Sequence, residues 1–287
     1  MRKILLAAYK ICLKIFSGRR IGTFYPIAVA HKFVISLLKS RFTEVEGHKM
    51  FLDSKDTLGL SINEFYESLE TEIVKKEIKK GDVAVDIGAN IGYYTLIFAK
   101  LVGDEGKVFA FEPDPTSFAL LKKNVEINRY QNVILVQKAV SNETGKIRLY
   151  LCDDNLADHR IYNSHDGRKS IEIEAIRLDD YFKGYTGKID FIKMDIQGAE
   201  GDALQGMSLL LQKNKNLKMI TEFEPVALKR FGMEPEEYLK LLVKHGFALY
   251  HINMQEKRIE PADIVKLLKT YTPEIGNYAN LLCLRDE

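Results

Sequence analysis

The feature that most constrains the fold of this chain is a regular alternation of apolar strands and helices after Gly81. Strand patterns rich in Val, Ile and Phe that alternate with helical patterns are typical of βαβ units, in which helices cover both faces of a parallel sheet. The predicted strands are VAVDI, KVFAFE, NVILVQ, IDFIKMD and LKMITEFE, and the predicted helices cover about 91–102, 115–128, 198–213 and 225–231.

Further strands are predicted within and after this alternation. GKIRLYL and KSIEIEAIRL predict two strands separated by a long polar loop, and a loop of that length in a compact domain is usually functional or mobile. FALYHI and YANLLCLR predict a last pair of strands around the helical segment ADIVKLLK. We therefore expect an α/β fold with a doubly wound, mostly parallel seven-stranded sheet and helices on both faces.

The N-terminal segment differs from the rest of the chain in charge. Residues 1–43 hold nine Lys or Arg and no Asp or Glu, and because the whole chain has a net charge of +2, the remainder carries −7. We expect residues 1–42 to form a basic amphipathic helical extension and residues 43–287 to form the main domain, with its core from about residue 67. FTEVEGHKMFLD, at the start of that domain, predicts a short hairpin around Gly47 and His48.

Two interpretations of residues 1–20 stay open. Their longest uncharged run, residues 4–9, is too short to span a bilayer, and Lys10 and Lys14 interrupt the apolar region that a signal peptide would need. The helix could lie on an anionic membrane surface, or it could pack on the main domain or on a second subunit as part of a homo-oligomer.

Cysteine usage indicates a reducing compartment. The three cysteines, Cys12, Cys152 and Cys283, are far apart and odd in number, so the sequence predicts neither a disulfide framework nor a CxxC zinc site. We expect a cytoplasmic protein, with peripheral attachment to the inner face of the membrane as the alternative that residues 1–20 leave open.

The segment DIGANIG, Asp86 to Gly92, predicts a ligand-binding turn. A strand that ends at Asp86 and turns through Gly88 into a helix places backbone N–H groups at the carboxyl edge of the sheet, where doubly wound folds bind ligands. The dinucleotide pattern G-x-G-x-x-G would need glycine at Asn90 and Tyr93, and no Gly-Lys-Ser/Thr of a P-loop follows. Both classes of phosphate site are therefore disfavoured.

Two acids at successive strand ends favour a different cofactor. Asp86, just before the turn, disfavours a pyrophosphate and suits a cationic group such as the amino group and sulfonium of S-adenosylmethionine. Glu112 ends the next strand, where a carboxylate can accept two hydrogen bonds from a ribose diol. The alternative is that Asp86 caps a helix and Glu112 lies on the surface.

These segments resemble the FkbM-type family of S-adenosylmethionine-dependent methyltransferases. The resemblance rests on GDVAVDIGANIGYYTL, GKVFAFEPDP, KAVSNETG, DFIKMDIQGAE and EFEP, which occur in the family's order within about residues 45–287. The family pattern usually has Glu where this chain has Gln197, whereas Asp195, Gly198 and Glu200 match. The resemblance implies a class I Rossmann-like fold and methyl transfer, commonly to a hydroxyl of a sugar, glycolipid, polyketide or other natural product.

The resemblance also implies roles for individual cofactor-binding residues. Asp86, Gly88, Asn90 and Gly92 would surround the methionine portion of S-adenosylmethionine. Glu112 would bind the ribose. Ala139, after the strand NVILVQ, would lie against the adenine.

A base is needed to remove the proton of an alcohol acceptor, and strand ends deliver candidates to the carboxyl edge. Asp195 ends the fourth strand and is expected beside the methyl donor, with helix capping as its alternative role. Glu222 and Glu224 share one side of the fifth strand. We expect one of these two to face the cleft and the other to cap the next helix, and we favour Glu222.

His159, in NLADHRIY within the long loop, is the third catalytic candidate. This stretch is similar to one found in many family members, and a near-neutral imidazole is the usual side chain for removing a hydroxyl proton. The alternative is a loop histidine that pairs with Asp153, Asp154 or Asp158.

Other chemistries are weaker alternatives. Asp195, Glu222 and His159 could bind a divalent metal that lowers the pKa of the alcohol, although no tight ligand spacing supports a metal site. A NAD-dependent oxidoreductase is disfavoured by the incomplete glycine pattern, and a non-catalytic cofactor-binding scaffold would keep Asp86 and Glu112 without turnover. Nucleic-acid binding is disfavoured because the basic segment lacks interleaved aromatic residues and the rest of the chain is acidic.

Overall fold

The computed structural model describes residues 9, 34, 38–63, 65–163 and 165–285. The chain divides into two compact units, Met1–Tyr66 and Glu67–Glu287. The predicted membrane-binding or packing helix over residues 1–20 lies, except for Tyr9, outside the described residues. The proposed extension with its boundary at residue 42 therefore stays a prediction.

The first unit contains the predicted hairpin. Strand β1 (Phe42–Val45) pairs with β2 (His48–Phe51) in antiparallel register, with Val45 opposite His48. The two turn residues, Glu46 and Gly47, have φ values of 53° and 80°, as a tight hairpin turn requires. The short helix α1 (Leu60–Asn63) follows.

The second unit contains the predicted alternation of strands and helices. Its strands are β3 (Val83–Ile87), β4 (Lys107–Phe111), β5 (Val133–Val136), β6 (Ala139–Val140), β7 (Gly145–Tyr150), β8 (Ser170–Ile176), β9 (Phe191–Met194), β10 (Lys218–Phe223), β11 (Ala248–Asn253), β12 (Arg258–Pro261) and β13 (Ala279–Leu284). Its helices are α2 (Ser68–Glu77), α3 (Tyr93–Val102), α4 (Pro115–Ile127), α5 (Leu178–Tyr181), α6 (Glu200–Gly206), α7 (Ser208–Lys213), α8 (Pro225–Phe231), α9 (Pro235–Lys244) and α10 (Ile264–Thr270).

The larger sheet confirms the predicted fold class. Its strand order in the described part of the chain is β12-β11-β13-β10-β9-β3-β4-β5. The pairs from β10 to β5 are parallel, and β13, β11 and β12 add antiparallel pairs at one edge. The sheet thus has one strand more than the expected seven, because residues 258–261 fold back on β11. The predicted helix over 198–213 is interrupted at Met207, which separates α6 from α7.

The two faces of the sheet have different chemistry near its carboxyl edge. One face carries apolar side chains of the main core, among them Ile87, Met194 and Phe223. Because side chains alternate along a strand, the opposite face carries their neighbours. That face presents a row of polar side chains on four adjacent strands: Asp86, Lys193, Glu222 and Asn280.

The predicted additional strands form a separate small sheet. β8 pairs in parallel with β6 and antiparallel with β7, giving the order β6-β8-β7. Its apolar cluster contains Ala139, Leu149, Ile173 and Ala175. The polar loop between β7 and β8 lies beside this sheet, where Arg160 bridges to Tyr150. Over the residues that the structure describes, no helix has the length and apolar character needed to cross a membrane.

Candidate active site

A cleft opens at the carboxyl edge of β3, β4 and β9, and the loop between β7 and β8 forms its other wall. The structure thereby brings together most of the site residues expected from the sequence. Those that line the cleft are Gly88, Asn90, Glu112, Ala139, His159 and Asp195. Asp86, Gly92 and Glu222 are not among the lining residues.

The turn after β3 brings two strand ends into close contact. Gly88 has φ of 83°, and both its N–H and that of Ala89 donate to the carbonyl oxygen of Phe111 at 3.0 Å. A Cβ atom at Gly88 would lie 2.0 Å from the backbone oxygen of Asp195. Glycine is therefore required here by the approach of the end of β9 as well as by the left-handed backbone.

Glu112 is fixed by backbone donors. The N–H of Asn90 donates to its Oε2 at 2.8 Å, and the N–H of Asp114 donates to its Oε1 at 2.8 Å. Burial raises the pKa of Glu112 to about 8, although these two hydrogen bonds act to lower it. Each carboxylate oxygen keeps acceptor capacity for one further donor, so the group can bind a diol in the cleft.

The cleft beside Glu112 has an apolar wall. Ala139 and Leu149 come from the small sheet, and Leu156 and Ile161 come from the loop between β7 and β8. Ala139 is 5% exposed. Such a wall next to a diol-binding carboxylate suits a nucleoside, because a flat base can pack on apolar side chains while the ribose binds the acid.

His159 lies in the wall of the cleft that the loop between β7 and β8 forms. Its Nδ1 accepts a hydrogen bond from the N–H of Cys152 at 3.0 Å, and its Nε2 lies 4.0 Å from Oδ2 of Asp114. Burial lowers the pKa of His159, and the charge of Asp114 opposes this shift. In a neutral imidazole with Nδ1 as acceptor, Nε2 carries the proton, so the basic lone pair faces Cys152.

Asp86 and Gly92 lie behind the cleft. The hydroxyl of Thr95 donates to Oδ2 of Asp86 at 2.6 Å, and burial raises the pKa of Asp86 to about 6. Gly92 precedes α3 with φ of 96°, and a Cβ there would lie 2.7 Å from Cδ1 of Leu121. Both residues support the turn, and direct contact of either with the cofactor stays a prediction.

Asp195 and Glu222 are joined by one amide. Nε2 of Gln197 donates to Oδ1 of Asp195 at 3.0 Å and to Oε2 of Glu222 at 3.3 Å. Burial raises the pKa of Glu222 well above its usual range, and the charge of Asp195 adds to this shift. Glu224, the alternative to Glu222, occupies the position before α8 and makes no capping hydrogen bond with its side chain. The side-chain capping expected for one of these two glutamates is therefore not observed at α8.

A buried lysine next to these acids was not anticipated from the sequence. Nζ of Lys193 lies 3.6 Å from Oδ2 of Asp195, 3.7 Å from Oε2 of Glu70 and 4.6 Å from the ring centre of Tyr94. Lys193 is 5% exposed and Glu70 is fully buried, and burial raises the pKa of Glu70 to about 8. The sequence did contain a signal for this contact, a lysine within the apolar strand DFIKMD. A buried charge without a partner is costly, so a lysine there indicates an acidic side chain nearby.

Glu200 has a structural role in the same segment. Its Oε1 accepts from the N–H of Ile196 at 3.0 Å, and its Oε2 accepts from the N–H of Gly198 at 2.9 Å. Burial raises the pKa of Glu200 to about 7. This carboxylate closes the loop that carries Gln197, so it orients the amide that joins Asp195 and Glu222.

The sheet order and the cleft at its carboxyl edge are those of a Rossmann-like fold, and the family match that follows makes the protein an S-adenosylmethionine-dependent methyltransferase. Residues 86–249 match the family model for the methyltransferase FkbM domain, and the chain belongs to this family. The resemblance noted in the sequence is thereby confirmed.

Three methyltransferases are similar to parts of this chain. It is 28% identical over 172 residues to hexuronic acid methyltransferase AglP of Haloferax volcanii, covering 59% of this chain and 65% of the relative. It is 28% identical over 163 residues to 2-O-methyltransferase NoeI of Sinorhizobium fredii, covering 50% of this chain and 65% of the relative. It is 41% identical over 112 residues to 31-O-demethyl-FK506 methyltransferase FkbM of Streptomyces tacrolimicus, covering 39% of this chain and 41% of the relative. The chain thus spans less than two thirds of each of these relatives.

The described residues do not support the metal site that was the alternative for Asp195, Glu222 and His159. Within them, no group of three or more His, Cys, Asp or Glu side chains is placed to hold a metal ion. Asp195 and Glu222 are instead bridged by Gln197.

Proposed function

We propose that this protein transfers a methyl group from S-adenosylmethionine to a hydroxyl group of a sugar or of a lipid-linked glycan. The names of AglP and NoeI, a hexuronic acid methyltransferase and a 2-O-methyltransferase, support a hydroxylated acceptor. A small hydroxylated natural product is the second acceptor class, and the name of FkbM supports it.

The residues of the cleft fit this cofactor. Glu112 would accept hydrogen bonds from the ribose diol, and Ala139 with its apolar neighbours would contact the adenine. Asp195 would face the positively charged end of the cofactor, where its charge is favourable. S-adenosylmethionine, when bound, supplies a methyl group made electrophilic by its sulfonium.

The observation that carries the proposal is the pair of carboxyl groups bridged by Gln197. Methyl transfer to an alcohol breaks the bond from sulfur to methyl carbon and forms one from oxygen to methyl carbon, and the hydroxyl proton must go to a base. We assign this proton to Glu222, because burial and the charge of Asp195 raise the pKa of this carboxyl and make its carboxylate a stronger base than an exposed one. Asp195 would orient the acceptor hydroxyl, and His159, with Nδ1 already occupied, would close the cofactor cleft.

The alternatives to this function predict different experimental results. Family membership sets aside the nicotinamide-dependent oxidoreductase. A non-catalytic scaffold would bind S-adenosylmethionine without turnover. Contact of residues 1–20 with an anionic membrane would bring the protein to lipid-linked acceptors, and flotation with anionic liposomes before and after removal of residues 1–20 tests it.

The proposed function is tested with S-adenosylmethionine labelled in its methyl group. The protein is incubated with glycan and lipid extracts, and the labelled product is hydrolysed to locate the methyl group. We expect label on an oxygen of a sugar. Label on nitrogen or carbon, or no labelled product from any extract, would contradict the proposal.

Two matched variants test the assigned base. Glu222→Gln should lower kcat by about 100-fold or more while the affinity for S-adenosylmethionine stays the same. Glu224→Gln, two residues further on and without contact to Gln197, should retain activity. Equal losses in both variants would remove Glu222 from the role of base.

A further inference from the structure

A second groove lies further along the carboxyl edge of the same sheet. It is formed by the ends of β11 and β13, by α10 and by the segment that connects α10 to β13. Its lining includes His251, Glu260, Tyr271, Asn277, Tyr278 and Asn280. None of them was assigned a role from the sequence.

The groove is continuous with the acids of the active site through the sheet. Asn280 pairs with Glu222 in the antiparallel register of β13 and β10, so their side chains are neighbours on one face. Tyr278 lines the groove, and the pKa of its hydroxyl is raised to about 12 by burial and by the charges of Glu67, Glu222 and Asp195. A ligand in this groove would therefore have its end beside Glu222.

One wall of the groove is held in a fixed arrangement. Nε2 of His251 and the hydroxyl of Tyr271 share a hydrogen bond of 2.9 Å, and Nδ1 of His251 lies 3.6 Å from Oε1 of Glu260. The rings of His251 and Tyr271 meet edge to face with centres 5.5 Å apart. This wall is therefore preorganised, which lowers the cost of ordering it around a ligand.

Amide groups of the groove are available to a ligand. Oδ1 of Asn277 is buried and has no hydrogen-bond partner among the described residues, although its Nδ2 donates to the carbonyl of Thr270 at 3.1 Å. Asn280 is 6% exposed and its side chain makes no hydrogen bond to any residue that the structure describes. Oδ1 of Asn277 can therefore accept a hydrogen bond from a ligand in the groove, and the amide of Asn280 can both donate and accept one.

The charges of the groove favour an uncharged ligand. Carboxylates of Glu260 and Asp263 line it, and the ammonium group of Lys266 lies 3.9 Å from Glu260. Glu260 also pairs with Arg258 at 2.8 Å, and Oδ1 of Asp263 accepts the N–H of Lys266 at 3.0 Å. Because these charges already have partners, hydroxyl groups, which can bind both carboxylates and amides, suit the groove better than a charged ligand does. The rings of Tyr271 and Tyr278 add apolar surface, so the lining matches a molecule with hydroxyl edges and apolar faces.

We propose that this groove is the acceptor site and that it binds an uncharged pyranose residue next to the one whose hydroxyl is methylated. The proposal rests on the proposed function for its link to methyl transfer. The binding of a sugar in the groove is a separate property that can be measured without turnover.

The test uses methyl glycosides of uncharged hexoses as probes in saturation-transfer NMR on the full chain. We expect saturation transfer from the wild type and a loss of about three- to tenfold in affinity in Tyr278→Ala and in Asn280→Ala. Asn216→Ala, an exposed asparagine elsewhere in the same unit, is the matched control and should bind as the wild type does. Calorimetry with S-adenosylmethionine should give unchanged affinity in all three variants.

Three outcomes would overturn the inference. One is that the glycosides do not bind the wild type. Another is that Tyr278→Ala, which changes an exposed side chain and should fold normally, binds them as the wild type does. The third is that glycerol 3-phosphate binds in the groove and the glycosides do not. Glycoside binding that depends on Tyr278 without any methyl transfer would instead contradict the proposed function and leave the sugar site in place.

Discussion

In the half of the active site over β3 and β4, the carboxylate that lines the cleft is held by the backbone, whereas in the half over β9 and β10 two acids are held by other side chains. In the backbone-held half, the carboxylate of Glu112 accepts N–H groups of Asn90 and Asp114. In the side-chain-held half, Asp195 and Glu222 depend on Gln197 and Lys193. Backbone donors stay in place when neighbouring side chains change, so the position of the Glu112 carboxylate does not depend on its neighbours' side chains, whereas the positions of Asp195 and Glu222 do.

The largest expected effect breaks the contact between the two halves. Gly88→Ala places a Cβ 2.0 Å from the backbone oxygen of Asp195 at a residue with φ of 83°. We expect a loss of about 3 kcal/mol or more in the free energy of unfolding, because neither backbone can yield without breaking a strand end. Chemical denaturation of the variant and of the wild type measures this loss in the free energy of unfolding.

The matched control for this change is Gly246→Ala. Gly246 has φ of 85°, and a Cβ there would have no atom within 4 Å. Gly246→Ala should therefore lower the free energy of unfolding by about 1 kcal/mol, which is the strain of a left-handed backbone. Equal losses in the two variants would show that backbone strain alone makes glycine necessary at position 88.

The next effect tests the backbone-held half through cofactor binding. Glu112→Gln should weaken binding of S-adenosylmethionine by about 10- to 100-fold at pH 8, because an amide cannot accept both ribose hydroxyls. In the wild type, the free carboxyl has a pKa of about 8 and must ionise to bind the diol. Affinity should therefore rise from pH 6 to pH 8 in the wild type.

Calorimetry at several pH values measures this dependence. The rise in affinity should be smaller in Glu112→Gln, since the amide does not titrate. The exposed Glu126→Gln on α4 is the control and should keep the behaviour of the wild type. A rise of the same size in Glu112→Gln would assign the titration to another group.

A smaller effect is expected from the lysine of the side-chain-held half. The charge of Lys193 lowers the pKa of Glu222 and of Glu70, so Lys193→Met should raise both. The ascending limb of the kcat profile should then move to higher pH by about one unit. Lys218→Met, a half-buried lysine at the start of β10 that pairs with Glu77, is the control and should leave the profile in place. A shift to lower pH would contradict the assigned role.

The smallest effect concerns Asp86 behind the cleft. Thr95→Val removes the hydroxyl that donates to Asp86 and should raise the pKa of that carboxyl above about 6. We expect a loss of about 1 kcal/mol in the free energy of unfolding above pH 6, and a smaller loss at pH 5, where Asp86 is protonated in both proteins.

Thr221→Val is the matched control for Thr95→Val. The hydroxyl of Thr221 shares a hydrogen bond of 2.6 Å with the neutral hydroxyl of Tyr238. Its loss should cost a similar free energy at both pH values. A pH-independent cost for Thr95→Val as well would mean that Asp86 does not titrate in this range.

The fold class was predictable because the pattern of apolar residues within each short segment indicates whether that segment forms a strand or a helix. The period of the apolar residues indicated the helices as well as the strands β3, β4, β5, β9 and β10, and the structure confirms them, except that the helix predicted over 198–213 is interrupted at Met207. The extra strand β12 was missed, because RIEP has little apolar character and lies at the edge of the sheet, where it pairs with β11 alone. Helix α9 was missed, although Pro235 at its start and the acids that follow are ordinary signals for a helix.

The site was partly predictable for the same reason. Gly88, Asn90 and Glu112 follow strand ends in one short stretch, and their places in the cleft follow from strand order. Lys193 and Glu70 could not be placed, because they lie 123 positions apart in the sequence and meet only when α2 packs by the sheet. The bridging role of Gln197 likewise depends on β9 and β10 being neighbours.

The sequence by itself determined the alternation of strands and helices, the turn at Gly88 and the kind of cofactor, since these depend on residue period and on charges within single βα units. Only the tertiary structure decided that His159 binds the N–H of Cys152 through Nδ1, that Gln197 joins Asp195 to Glu222, and that a groove beside Tyr278 continues the same edge. Those arrangements depend on distances between side chains from separate elements, which the order of residues along the chain does not specify.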